Sequence, residues 1–149
     1  MWGLTGHELR TLTGHTDVVR AVAVTRDGRL AVSASNDQRL KVWDLVSGRA
    51  LRTLTGHAGS VWAVAVTPDG QRAVSASEDK TLKVWEVESG RELRTLTGHE
   101  GSVWAVAVTP DGRLAVWASG QALSVWELAS GRELRALTGH SGPGSMRQR

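Results

Sequence analysis

Residues 57–98 read HAGSVWAVAVTPDGQRAVSASEDKTLKVWEVESGRELRTLTG. The same text, lightly edited, stands on both sides of it. From His15 to His57 is 42 residues, from His57 to His99 is 42, and from His99 to His140 is 41. A fixed period of this size marks a repeat architecture, in which each copy is one supersecondary unit.

The first unit shows how a copy is built. VVRAVAV (18–24) is apolar and β-branched, the pattern of a buried strand. Arg26-Asp27-Gly28 follows, and its counterparts are Pro68-Asp69-Gly70 and Pro110-Asp111-Gly112. Pro presets φ, Asp bonds its own backbone and Gly supplies φ > 0, so these are hairpin turns. RLAVSAS (29–35) is a second strand, and Asn36-Asp37 a second tight turn. RLKVWD (39–44) is a third, with Leu40, Val42 and Asp44 on one side and Lys41 and Trp43 on the other. After Ser47-Gly48, residues 50–55 form a fourth strand whose Leu51 and Leu54 alternate imperfectly, as expected of a solvated outer edge. No 3.6-residue stripe competes with this reading. Four short antiparallel strands, apolar on both faces, cannot bury themselves alone and must stack on neighbours.

Gly-His, Val-x-x-Val, Pro-Asp-Gly, Ser-x-Ser-x-Asp and Lys-Val-Trp-Asp/Glu recur in phase. Together they resemble the WD-repeat β-propeller family over residues 8–140. The resemblance implies an all-β ring of four-stranded blades around a central channel, acting as an interaction platform without catalysis. It also implies a hydrogen-bonded chain that pins each blade: His15, Ser33, Asp37 and Trp43 in the first, and His57, Ser75, Asp79 and Trp85 in the second. Burial gives this chain a physical reason, since both imidazole nitrogens and a Trp N–H need partners. The third unit keeps His99 and Trp126. Trp117 takes the Ser position, and the following turn has lost a residue and its Asp. Blade three is therefore expected to be the loosest, by about 1–3 kcal/mol if His99 stays buried without its partners. Restoring Ser at 117 together with the turn Asp is expected to raise the melting temperature.

The resemblance places three positions per blade on the top face, where partners bind. They are Val18, Arg20 and Asn36; Ser60, Trp62 and Glu78; and Ser102 and Trp104, the third blade lacking the turn Asp that would locate its last member. Exposed Trp and Arg are favoured contact types. The competing reading has each Trp packed against the neighbouring blade. A glycan- or small-ligand-binding ring using Trp62 and Trp104 is the alternative function.

Other chemistries fit less well. The five His residues all lie in Thr-Gly-His, and the repeat puts His15, His57 and His99 on separate blades, too far apart in a ring to share a metal. No metal or cofactor is expected. Ser, His and Asp of one blade look like a hydrolase triad, but the set recurs twice, is expected to be buried and has no oxyanion-hole motif beside it. The glycines lie singly in turns, not in a phosphate loop. The net charge of +3 comes from bases interspersed with acids, without the basic stripe of a nucleic-acid binder. No 18-residue apolar run suggests a membrane span. The chain has no Cys and no charged-then-apolar leader, which fits a cytoplasmic protein.

The organisation expected is an extra outer strand of a neighbouring blade at 1–14, blades at 15–56, 57–98 and 99–139, and a disordered tail at 140–149. Three blades fall below the usual four to eight. An open arc of three leaves two apolar faces uncovered. Closure by homo-oligomerisation is expected, a homodimer giving six blades or a homotrimer nine. The segments 8–13 and 133–138 then compete for one closing slot. Besides itself, the chain is expected to bind a protein or peptide.

Overall fold

The computed structural model describes residues 9, 11–97, 102–119 and 122–137. Twelve strands are found among them, in three four-stranded antiparallel sheets. The first blade is β1 (Val19–Val24), β2 (Leu30–Ser35), β3 (Leu40–Asp44) and β4 (Ala50–Leu54), each paired with the next. The second is β5 (Val61–Val66), β6 (Arg72–Ser77), β7 (Leu82–Glu86) and β8 (Glu92–Leu96). The third is β9 (Val103–Val108), β10 (Leu114–Ser119), β11 (Ala122–Glu127) and β12 (Arg132–Leu137). This is the blade architecture read from the repeat.

Turn chemistry fixes each hairpin. Thr67 Oγ1 donates to Asp69 Oδ1 at 2.6 Å, and Asp69 Oδ1 also accepts the Gln71 N–H at 3.0 Å. Thr25–Asp27 and Thr109–Asp111 repeat the arrangement. Gly70 sits at φ +74°, in the left-handed region that Gly enters without steric cost. The next turn departs from expectation. Its left-handed residue is not Gly but Gln38 (φ 76°) in the first blade and Lys80 (φ 72°) in the second. The preceding Asp compensates: Asp37 Oδ1 accepts the Arg39 N–H, and Asp79 Oδ1 the Thr81 N–H, each at 2.9 Å.

The core lies between blades, not within them. Val32, Leu40, Val42 and Leu54 of the first blade are fully buried against Val61, Val64, Trp85 and Val87 of the second. One blade on, Val74, Leu82, Val84 and Leu96 meet Val103, Ala115, Trp117 and Leu128. Each blade therefore has a leading face, toward lower residue numbers, and a trailing face, toward higher ones. The two internal seams join trailing to leading in the same register.

Outer strands are solvated, but Leu54 and Leu96 reach inward and are buried. The imperfect alternation of residues 50–55 has a cause. A register shift between Val42 and Trp43 opposes them to Arg52 and Ala50, leaving Leu51 as the extra residue of a β-bulge. Leu93 and Leu134 hold the same place in the other blades.

Of residues 1–14, Leu9 and 11–14 are described and lie in no strand. The outer strand of the third blade is its own β12. The rest of 1–14 and the tail 140–149 lie outside the described residues, as does His99.

In the third blade Trp117 is buried and stacks on Trp126, with ring centroids 4.8 Å apart and planes at 30°. It also belongs to the seam with the second blade. This reverses the expected effect of returning a Ser there. A hydrogen bond regained is worth about 1 kcal/mol, whereas emptying a buried Trp site costs about 3–5 kcal/mol. Trp117→Ser should therefore lower the urea midpoint by an amount in the upper part of the range for single mutants. A midpoint equal to or above that of the unaltered chain would show the stack to be dispensable.

Candidate functional site

Among the described residues the first and second blades carry a directional relay. Trp85 Nε1 donates to Ser75 Oγ at 2.8 Å, and Ser75 Oγ lies 2.7 Å from His57 Nε2. His57 Nδ1 lies 2.9 Å from Asp79 Oδ2. With the indole as a fixed donor, the Ser proton goes to Nε2, which leaves His57 neutral with its proton on Nδ1, pointing at the carboxylate. The first blade repeats it: Trp43 to Ser33 at 2.9 Å, Ser33 to His15 at 2.6 Å and His15 to Asp37 at 2.8 Å. The relay ties the segment before the inner strand to the second and third strands. Trp126 keeps its place in the third blade, but no hydroxyl faces it from position 117.

This arrangement ties three segments of the blade together. Ser75 and Trp85 are buried, and the Ser75 hydroxyl is already engaged on both sides. Among the described residues no group of three or more His, Asp or Glu is placed to hold a metal ion.

The relay is stronger in the second blade. Thr81 Oγ1 donates to Asp79 Oδ1 at 2.6 Å, where the first blade has Arg39 instead. Lys83 Nζ reaches Glu92 and Thr95 at 2.8 Å, whereas Lys41 has only Thr53, because Ala50 replaces the acid. Burial would raise the Asp79 pKa, but hydrogen bonds from Thr81, the Ala58 N–H and His57 outweigh it and hold the carboxyl at about 2. Burial pushes the His57 imidazole below its ordinary value, with Asp79 opposing. Asp37 is lowered as well: burial works against the shift, and the His15, Thr16 and Arg39 hydrogen bonds produce it.

The remaining candidate residues lie along one edge of the arc, where inner strands begin and second strands end. Arg20 Nε donates to Asn36 Oδ1 at 2.9 Å. The Ser60 N–H donates to Glu78 Oε1 at 3.1 Å, and Ser102 Oγ approaches the Glu78 carbonyl at 3.4 Å across the seam. Val18 is exposed, Trp62 half-buried, and Trp104 is 52% exposed. The edge therefore brings together Arg20 with Asn36, and Ser60 with Glu78 and Ser102.

Sequence reasoning missed the device that presents these residues. Pairing skips between Val19 and Ala21 in β1, and between Val61 and Ala63 in β5. In β9 it passes from Ala105 to Val103. Arg20, Trp62 and Trp104 are thus the extra residues of three equivalent β-bulges, which re-aim a side chain out of the regular alternation. The only trace in the sequence is a large or charged residue interrupting an apolar strand at the same place in each copy. On the opposite edge, a groove of about 340 Å³ between the Asp27 and Asp69 turns contains no aromatic side chain.

The sequence matches the WDR41 β-propeller family over residues 5–144. Among curated proteins, it is 44% identical over 46 residues to the small ribosomal subunit protein RACK1 of Caenorhabditis elegans, covering 31% of this chain and 14% of that protein. It is 50% identical over 42 residues to the human NACHT domain- and WD repeat-containing protein 1, covering 28% of this chain and 3% of that one. The fold is similar to that of U3-55K, with TM-score 0.86 and 28% identity over 89% of this chain and 43% of that one. The RRP9 WD40 repeats are equally similar, at TM-score 0.86 and 29% identity over 89% and 42%. The chain thus spans less than half of these solved structures and about a seventh of RACK1. Among the described residues no helix is long and apolar enough to cross a membrane.

The relay makes stability depend on pH in a signed way. A carboxyl depressed in the fold contributes fully above its unfolded value of 3.8, and the contribution is lost as pH falls through about 2. An imidazole depressed in the fold behaves alike: the unfolded chain takes the proton first, and stability declines below 6.5. Urea midpoints should begin to fall below pH 6.5 and fall further between 3.8 and about 2. Asp79→Asn should cost roughly 1–2 kcal/mol at neutral pH, discounted for the solvent contact of the carboxylate, and flatten the lower step. Parallel curves for the two proteins below pH 4 would remove Asp79 from that role.

Proposed function

The chain belongs to the WDR41 β-propeller family, and on that premise we propose that it is a non-catalytic protein- or peptide-binding scaffold. WD40 propeller proteins bind other proteins, and the proposed contact surface here is the bulged edge. Its members are Val18, Arg20, Asn36, Ser60, Trp62, Glu78, Ser102 and Trp104.

Trp104 carries the reading. Trp104 is more than half exposed, and Trp is among the side chains that dominate binding energies. On the same edge, Ser102 and Glu78 supply a hydroxyl and a carboxylate, and Arg20, two blades away, a cation, which suits an extended peptide with both apolar and charged side chains. The scaffold is completed by other copies of the chain, two giving six blades and three giving nine. The absence of Cys favours a cytoplasmic setting.

Selection from a displayed random peptide library tests this surface. Enriched peptides should lose at least about tenfold in affinity on Trp104→Ala, the loss expected of a central contact, with an unchanged far-UV spectrum. Peptides that bind Trp104→Ala equally well would move the surface elsewhere. Tryptophan quenching by oligosaccharides, with no peptide enriched, would turn the reading to a glycan-binding ring.

A further inference from the structure

Identical side chains meet opposite fates in successive blades. Val19 is 53% exposed, whereas its counterparts Val61 and Val103 are completely buried. Val22 is 62% exposed and Val64 9%. Leu45 is half-buried where Val87 and Leu128 are at 2%. These are the leading-face residues, and among the described residues no blade stands before the first. At the other end, Leu123, Val125 and Leu137 of the third blade are half-buried, while Leu40, Val42 and Leu54 at the same positions are completely buried.

The seams also carry Arg side chains in the same phase: Arg52 of β4 lies against Gly90 of the next blade without a hydrogen bond to it, and Arg94 makes a full clasp. Arg94 of β8 clasps the next blade, its guanidinium donating to the Ser130 and Ala129 carbonyls at 2.9 and 3.0 Å. Arg135 stands at the equivalent position of β12, and the equivalent carbonyls on the first blade belong to Ser47 and Val46. Val46 is 74% exposed. Gly70 and Gly112 lie close to Thr25 and Pro68 of the blade before, whereas nothing approaches the Cβ position of Gly28.

We propose that the trailing face of the third blade docks on the leading face of the first blade of a second copy, by the apolar seam that the chain makes twice internally, with the Arg clasp of its second seam. Leu123, Val125 and Leu137 cover Val19, Val22 and Leu45, and Arg135 clasps the turn at Val46 and Ser47. The occupant is this chain because the joint is already its own. Each of the two faces has its cognate surface elsewhere in the same sequence, with the side chains and the clasp in register. The two faces differ, so the contact is heterologous and propagates head to tail until the arc closes. This rests on the self-assembly reading above and specifies its polarity and its residues.

Two variants test it. Val22→Glu blocks the leading face and Val125→Glu the trailing face. Arg135→Glu, at an exposed site, serves as a second trailing-face block should Val125→Glu fail to fold. Light scattering on the unaltered chain should give two or three times the 16.0 kDa chain mass. Each variant alone should run at 16.0 kDa with an unchanged far-UV spectrum. Mixed in equal amounts, a leading-face and a trailing-face variant should form one joint and run at twice the chain mass. A variant that still assembles alone, or a mixture that stays monomeric, overturns the head-to-tail joint while leaving self-assembly standing. An unaltered chain that remains at 16.0 kDa at its highest soluble concentration overturns both, and leaves further blades or another protein to cover these faces.

Discussion

A four-stranded blade with two apolar faces has no inside of its own, and the rest of the structure follows from that constraint. The fully buried side chains, Val32, Leu40, Val42 and Leu54 on one side and Val61, Trp85 and Val87 on the other, belong to seams. Burial of a Val or Leu is worth about 1.5–3 kcal/mol, so a seam contributes far more than any one hydrogen bond within a blade. Stability in this protein is thus a property of pairs of blades, as in other stacked repeats. The Trp–Ser–His–Asp relay has a different task. It fixes where the incoming segment and the third strand sit relative to the second, so that the seam residues are presented in register.

The relay also illustrates how a catalytic-looking set becomes structural. Ser75, His57 and Asp79 have the composition of a hydrolase triad and its hydrogen-bonding order. What differs is the neighbour of the Ser: Trp85 donates to its oxygen, and both residues are buried. Hydrogen bonds depress the Asp79 pKa against burial, and burial depresses that of His57 against Asp79; both preserve the protonation pattern in which every donor has an acceptor.

Much of the fold was legible in the sequence because period, alternation and turn residues agree. The Thr-Pro-Asp-Gly hairpin and the Lys-Val-Trp strand can each be read locally. The partners of the relay are harder, since Ser75 and His57 are 18 residues apart and nothing local pairs them; a family resemblance supplied that link. The bulges at Arg20, Trp62 and Trp104 were not legible. A bulge is a property of two strands in register, and a single strand carries no mark of it beyond an interrupted apolar run. The left-handed turn residues Gln38 and Lys80 were missed for a related reason. The Asp before each one compensates its strain, so the usual Gly is dispensable. Trp117 looked like erosion, whereas its stack on Trp126 makes it part of the core.

Near-identical copies in one chain carry a hazard of their own: while folding, a strand from one blade can pair with the wrong neighbour and still satisfy most of its contacts. The buried Trp117–Trp126 stack sets the third blade apart from the other two. An indole cannot enter the space that Ser33 or Ser75 occupies beside a His, and a Ser in its place leaves the third blade hollow. The blade that departs most from the repeat is thus the one whose second strand is the poorest fit in either of the other sheets.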